Sequence, residues 1–121
     1  MDPERQRLIE AFLAFLEGRP EYHTIKAAVG DHPRPEPVNG QLPDITAFRR
    51  HQFVIFRAFT AEELTGPEFE APSRAFARCA SFEHIRYHAI VPPEVEGEPG
   101  RLVALRRAAE IGVRIDNVWE V

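Results

Sequence analysis

The sequence predicts an α/β fold: a mixed β-sheet of about five strands flanked by helices, in the order αβββαβαβ, within one domain over residues 1–121. Three observations predict it. An amphipathic helix opens the chain, two β-rich arms joined through Arg49-Arg50-His51 make a hairpin, and the chain ends as strand, helix, strand. The hairpin supplies antiparallel neighbours, whereas the ending is a crossover that makes a parallel pair, right-handed by default. A mixed sheet of this kind buries its faces between helices.

Taken in order, the first element is a helix near Pro3–Glu17. Asp2 suits the N-cap, Pro3 the first helical position, and Gly18 the end. Leu8, Ile9, Phe12, Leu13 and Leu16 form one apolar stripe at helical spacing. Tyr22–Val29 reads as a strand, with His23, Ile25, Ala27 and Val29 on one face and Tyr22, Thr24 and Lys26 on the other. Residues 31–40 carry three prolines in five positions, which excludes helix and central strand and predicts an ordered loop.

The hairpin arms are Pro43–Phe48 and Gln52–Phe59. The second is apolar on both faces, with Phe53, Ile55 and Phe59 on one side and Val54, Phe56 and Ala58 on the other, as in a central strand covered twice. Arg57 interrupts the first of these faces and needs a carboxylate or a path to solvent. Ala61–Ala71, broken by Gly66-Pro67, is loop or interrupted helix, and Pro72–Ser81 is a helix with Phe76, Ala77 and Ala80 inward. Ile85–Val91 is a strand stopped by Pro92-Pro93, and Glu94–Gly100 is rich in turns. Arg101–Ile111 is a helix burying Leu102, Leu105, Ala108 and Ala109, with Gly112 as its C-cap, and Val113–Val121 is the last strand.

The formal net charge of −4 argues against a protein that grips phosphate backbones over its whole surface, while allowing a local basic patch. The basic residues are fourteen arginines and one lysine, Lys26, so any lysine chemistry has a single candidate. One cysteine, Cys79, rules out an internal disulfide and fits a reducing cytoplasm. No apolar run nears the ~18 residues of a membrane span, and Met1-Asp-Pro-Glu-Arg lacks the layout of a signal peptide. A cytoplasmic, bacterial-type protein without membrane contact is therefore expected.

In its element order, in Gly40…Pro43-Asp44 opening the hairpin, and in the closing run from Ile111 to Trp119, essentially the whole chain resembles the restriction-endonuclease-like fold of the PD-(D/E)xK superfamily. The resemblance implies that Asp44 matches the first metal-binding acid. A second acid and a lysine two residues further on would then hold the divalent metal and orient the attacking water. They fall at Phe56 and Ala58, or, one residue earlier, at Ile55 and Arg57. Neither register supplies an acid. A lone carboxylate does not anchor Mg²⁺, which holds its hydration shell unless negative charge is concentrated around it.

Two roles are open to Asp44: a structural one, capping the hairpin or pairing with Arg57 or Lys26, and a remnant catalytic and metal-binding one. The second needs relocated acids, chiefly Glu10 or Glu63, with Glu17, Glu62, Glu68 and Glu70 as further candidates and Lys26, Arg57, Arg74 or Arg78 replacing the lysine. Mg²⁺ or Mn²⁺ is required only in that case, and no nucleotide cofactor motif occurs.

Of the remaining constellations, His84 and His88 sit about 13 Å apart on a strand, too far for one zinc ion. Cys79 has no adjacent His or Lys and reads as a buried thiol. Arg49-Arg50-His51 and Arg106-Arg107 are the candidate basic patch for nucleic acid. Tyr22, Phe53, Phe59, Phe82, Tyr87 and Trp119 could stack on bases, although core packing accounts for most of them. Three functions follow: a catalytically degenerate binding or assembly module, expected as a homodimer; a metal-dependent nuclease with relocated acids; or a non-cleaving nucleic-acid binder using Arg49 and Arg50.

Overall fold

The computed structural model describes all 121 residues. In chain order the elements are α1 (Pro3–Glu17), β1 (Tyr22–Ala27), β2 (Ile45–Arg49), β3 (Gln52–Ala58), α2 (Ala61–Thr65), a 3₁₀ turn (Pro67–Phe69), α3 (Glu70–Cys79), β4 (Ile85–Val91), the short strands β5 (Glu94–Val95) and β6 (Glu98–Pro99), α4 (Gly100–Ile111) and β7 (Asn117–Glu120). The five long strands form one sheet in the order β1-β2-β3-β4-β7. β1, β2 and β3 run antiparallel to one another, while β4 is parallel to β3 and β7 to β4. The α/β class and the mixed five-stranded sheet agree with the sequence reading. No helix is long and apolar enough to cross a membrane.

Alternation along β3 divides the core. Val54, Phe56 and Ala58 pack with Leu8, Ile9, Phe12, Leu13 and Leu16 of α1, whereas Ile55 and Phe59 pack with Leu64, Phe69, Phe76, Val103 and Ala104 from the other helical elements. Helix α1 thus covers one face alone. Its N-cap is Asp2, whose carboxylate accepts from the Glu4 and Arg5 N–H groups at 2.8 and 3.2 Å.

Four expectations need correction. Strand β1 does not alternate as predicted: its pairing slips between His23 and Lys26 and Thr24 has φ 53°, so Tyr22 and Ala27 are both buried while His23 and Thr24 are exposed. The bulge also blunts one sheet edge, and the other edge, β7, has only 4 residues. Second, residues 113–116 are not strand; the Asp116 N–H donates to Tyr87 O at 2.8 Å and pairing starts at Asn117.

Third, α4 buries Gly100, Val103, Ala104 and Ala108, while Leu102 and Leu105 are exposed, as is Ala109. Close approach of the helix explains the choice of small residues. A Cβ on Gly100 would lie 1.9 Å from the carbonyl oxygen of Pro92. Gly100→Ala should therefore lower stability by about 1–3 kcal/mol, the usual range for overpacking, as read by urea denaturation. Gly112 ends α4 in the left-handed region (φ 73°), as predicted.

The fourth correction concerns the hairpin turn. Arg49 pairs with Gln52, so the turn has two residues, Arg50 and His51, and Arg50 takes φ 56°. This fixes the register of β2 on β3, with Ile45 opposite Phe56.

Candidate functional site

One step beyond the Ile45–Phe56 pair, Asp44 faces Arg57. The Asp44 N–H donates to Phe56 O at 3.0 Å and its carbonyl accepts from the Ala28 N–H at 2.9 Å, which locks the residue between β1 and β3. Its carboxylate Oδ2 accepts from Arg57 Nη1 at 3.1 Å and from the Ala58 N–H at 2.8 Å. Both side chains are withdrawn from water, at 5% and 11% exposure. Arg57 also donates to Ala58 O at 3.0 Å, and its guanidinium lies 5.1 Å from the centre of the Phe59 ring.

This geometry decides between the two registers considered for a second acid and a lysine. Phe56 and Ala58 pack toward α1, so they do not share a face with Asp44. Ile55 and Arg57 do, and in their register an isoleucine takes the acid's place and an arginine the lysine's. The guanidinium cancels the aspartate's charge and repels a cation. Arg57, not Lys26, is the partner of Asp44.

The relocated acids do not assemble here. Glu10 is exposed on α1, the helix that covers the opposite face. Glu63 belongs to a capping box: Oε1 accepts from the Thr60 N–H at 3.0 Å, the Glu63 N–H donates to Thr60 Oγ1 at 3.1 Å, and Oε2 pairs with Arg5 at 3.4 Å. No three side chains among His, Cys, Asp and Glu converge as a cation site.

A different constellation lies at the other end of the sheet, roughly 17 Å along β2 from Asp44. Arg49, Gln52 and Arg86 wall two adjoining clefts of about 460 and 260 Å³. The first also holds Arg50, His51 and His84, and the second His88, Arg114 and Asn117. Arg114 continues into a third cleft beside Ala77, and then into a fourth, of about 560 Å³, lined by Arg74 and Arg78. The groove thus gathers six arginines against two acids, Glu83 and Asp116.

Four of the six arginines lack a carboxylate partner, while Arg74 pairs with Glu70 and Arg114 with Asp116. None of Arg49, Arg50, Arg78 and Arg86 has a carboxylate oxygen within 4 Å. Arg86 is steadied by the carbonyls of Glu83 and Ile85 at 2.7 and 2.9 Å. Arg49 lies 5.7 Å from the Tyr22 ring centre, and its buried Nε has no hydrogen-bond acceptor. Asp116 offers little counter-charge, since it accepts from the Tyr87 N–H and pairs with Arg114, each at 2.9 Å.

His88 forms the floor of the second cleft. Its Nδ1 accepts from the Trp119 indole N–H at 3.0 Å, so the neutral ring carries its proton on Nε2. Burial, reinforced by Arg49 and Arg86 against the opposing pull of Asp116, lowers its pKa to about 4. The groove therefore presents guanidinium groups and a neutral imidazole, a donor set suited to phosphate oxygens.

The sequence-predicted patch is divided by the structure. Arg49 and Arg50 belong to the groove, but Arg106 forms a two-point ion pair with Glu98 at 3.0 and 2.7 Å. Arg107 bonds the carbonyls of Leu64 and Gly66 at 2.7 and 3.3 Å and is internal to the fold. Arg74 and Arg78, considered as lysine substitutes, join the groove instead. Arg86, Arg114 and His88 are members that sequence reasoning missed as a basic site, although the Arg86-Tyr87-His88 alternation already places Arg86 and His88 on one face. His84 is exposed before β4 while His88 is buried within it. Cys79 is partly buried and its thiol pKa is raised by desolvation. Among the stacking candidates, Tyr22, Phe59 and Tyr87 are buried, Phe53 and Trp119 are half-buried, and Phe82 is 67% exposed. Compared with protein-family models, curated proteins and solved structures, the chain matches none.

Proposed function

We propose that this chain is a non-cleaving binding module on a restriction-endonuclease-like scaffold, and that its arginine groove holds the phosphate backbone of a nucleic acid. One observation carries the reading: four arginines without carboxylate partners line one connected groove on a chain of net charge −4. Local concentration of unpaired cations on an acidic protein is the electrostatic footprint of a polyanion site. The scaffold assignment is supported by the antiparallel β1-β2-β3 meander, the parallel β4, and an aspartate at the head of β2. The absence of catalysis is supported by the Asp44–Arg57 pair and by the isoleucine that stands in for a second acid. Titration with Mg²⁺ or Mn²⁺ should accordingly leave the melting temperature unmoved.

The test uses Arg50→Ala/Arg78→Ala/Arg114→Ala, three changes at exposed positions that spare the core. Fluorescence anisotropy with a labelled oligonucleotide at low salt should show binding by the wild type and at least tenfold weaker binding by the triple variant. The plot of log K against log salt should also flatten by about two, near 0.7 per lost contact on a single strand. Equal affinity of the two proteins, or no binding by either near 50 mM salt, would reject the reading.

A further inference from the structure

We infer that the nucleic acid bound in this groove is single-stranded, and that Phe82 is the platform on which one of its bases stacks. The inference rests on the groove reading and extends it from the phosphates to the bases. Phe82 lies in the turn between α3 and β4 and is the most exposed large apolar residue of the protein, at 67%. Ser81, just before it, lines the third cleft, and Glu83 and His84, just after it, line the first. Phe82 thus sits in the chain between residues that line two stretches of the groove, with Arg78 and Arg86 on either side in sequence.

The turn that presents Phe82 is tied down on both sides. The Phe82 N–H donates to Cys79 O at 3.2 Å, the Ile85 N–H donates to Phe82 O at 3.2 Å, and Ser81 Oγ donates to Arg78 O at 2.7 Å. The backbone that carries the ring is thus preorganised, so stacking on it forfeits little backbone entropy. Exposed His51 and His84 supply two more flat faces in the first cleft. Cationic clefts with interspersed aromatic rings are the physical basis of single-strand binding, because every base has a π-face and the backbone follows the positive charge. Duplex reading works the other way round: a convex helix or ribbon of the protein enters a major groove about 12 Å wide, and there the bases are stacked on one another and unavailable to a ring. Here the cations line concavities, and the nucleic acid is the inserted element.

The experiment measures anisotropy for the full chain near 50 mM salt with four probes: a 12-mer DNA single strand, the RNA of the same sequence, the DNA duplex and inorganic polyphosphate. Both single strands should bind about tenfold tighter than the duplex. Phe82→Ala should weaken single-strand binding about tenfold, within the range for one stacked base, while polyphosphate affinity stays unchanged and Phe82→Tyr restores the strand. Because Phe82 packs little against the core, the alanine variant keeps its fold, which its melting temperature verifies. Duplex affinity equal to that of the single strands, or a Phe82→Ala variant with unaltered strand binding or with equal loss for polyphosphate, overturns the inference while leaving the arginine groove standing. Failure of the wild type to bind any of the four probes overturns the groove itself.

Discussion

Replacing Asp44 with alanine should destabilise the fold by about 3–5 kcal/mol, the range for removing one partner of a buried ion pair. The loss has two parts. Arg57, 11% exposed, keeps its charge with no counter-ion, and the Ala58 N–H loses its acceptor within the central strand. The cation–π contact with Phe59 recovers little of this, since its partner ring adds no net charge. In a chain of 121 residues the change corresponds to a drop in melting temperature of more than about 10 °C. Arg57→Ala should destabilise in the same direction. The double variant should fall well short of the sum of the two, because each single change leaves the other group stranded. Urea denaturation of the four proteins gives the cycle. A loss below about 1 kcal/mol in Asp44→Ala would mean that the carboxylate is a free ligand and not a strut, and the nuclease reading would regain its ground.

The same pair separates what is readable in a linear sequence from what is not. An aspartate after proline at the head of a hairpin and an arginine in an apolar strand each announce themselves, and their pairing is among the partners the sequence offers. Which β3 residues stand beside Asp44 is another matter. It depends on whether the turn has two residues or three, and a change of one residue exchanges every side chain on the strand between faces. Arg50 adopts φ 56°, an unusual choice for arginine, so turn chemistry gave no warning of the shorter turn.

The helices and the division of the core were legible wherever apolar residues recur strongly, as in α1 or along β3. Helix α4 defeated that logic because its large residues, Leu102 and Leu105, point outward while alanines meet the sheet. Residue size pulls one way there and the space available pulls the other. The groove was less legible still. Its arginines come from the hairpin tip, the end of α3, the start of β4 and the loop after α4. In the sequence the Arg106-Arg107 pair looks no different from Arg49-Arg50, and only Glu98 and the carbonyls of α2 tell them apart.

His88 supplies the second large effect, a dependence of stability on pH. In the unfolded chain the imidazole takes up a proton near its ordinary value of 6.5, but in the folded chain burial delays this to about 4. Between these values the unfolded state holds more protons, so acid draws the equilibrium toward it. The contribution of His88 is fully present above pH 6.5 and declines as pH falls to about 4. The slope is about 1.4 kcal/mol per pH unit, about 3 kcal/mol across the window. Charging the ring also makes Nδ1 a donor, which ends the bond from Trp119, and sets a cation against Arg49 and Arg86 with only Asp116 to favour it. His88→Gln keeps a carbonyl oxygen for the Trp119 indole and removes the titration. Urea denaturation at pH 7, 5 and 4 should show the wild type losing about 3 kcal/mol more than this variant. Profiles that run parallel would mean that the folded ring takes up its proton as readily as the unfolded one, and that burial does not hold His88 neutral in mild acid.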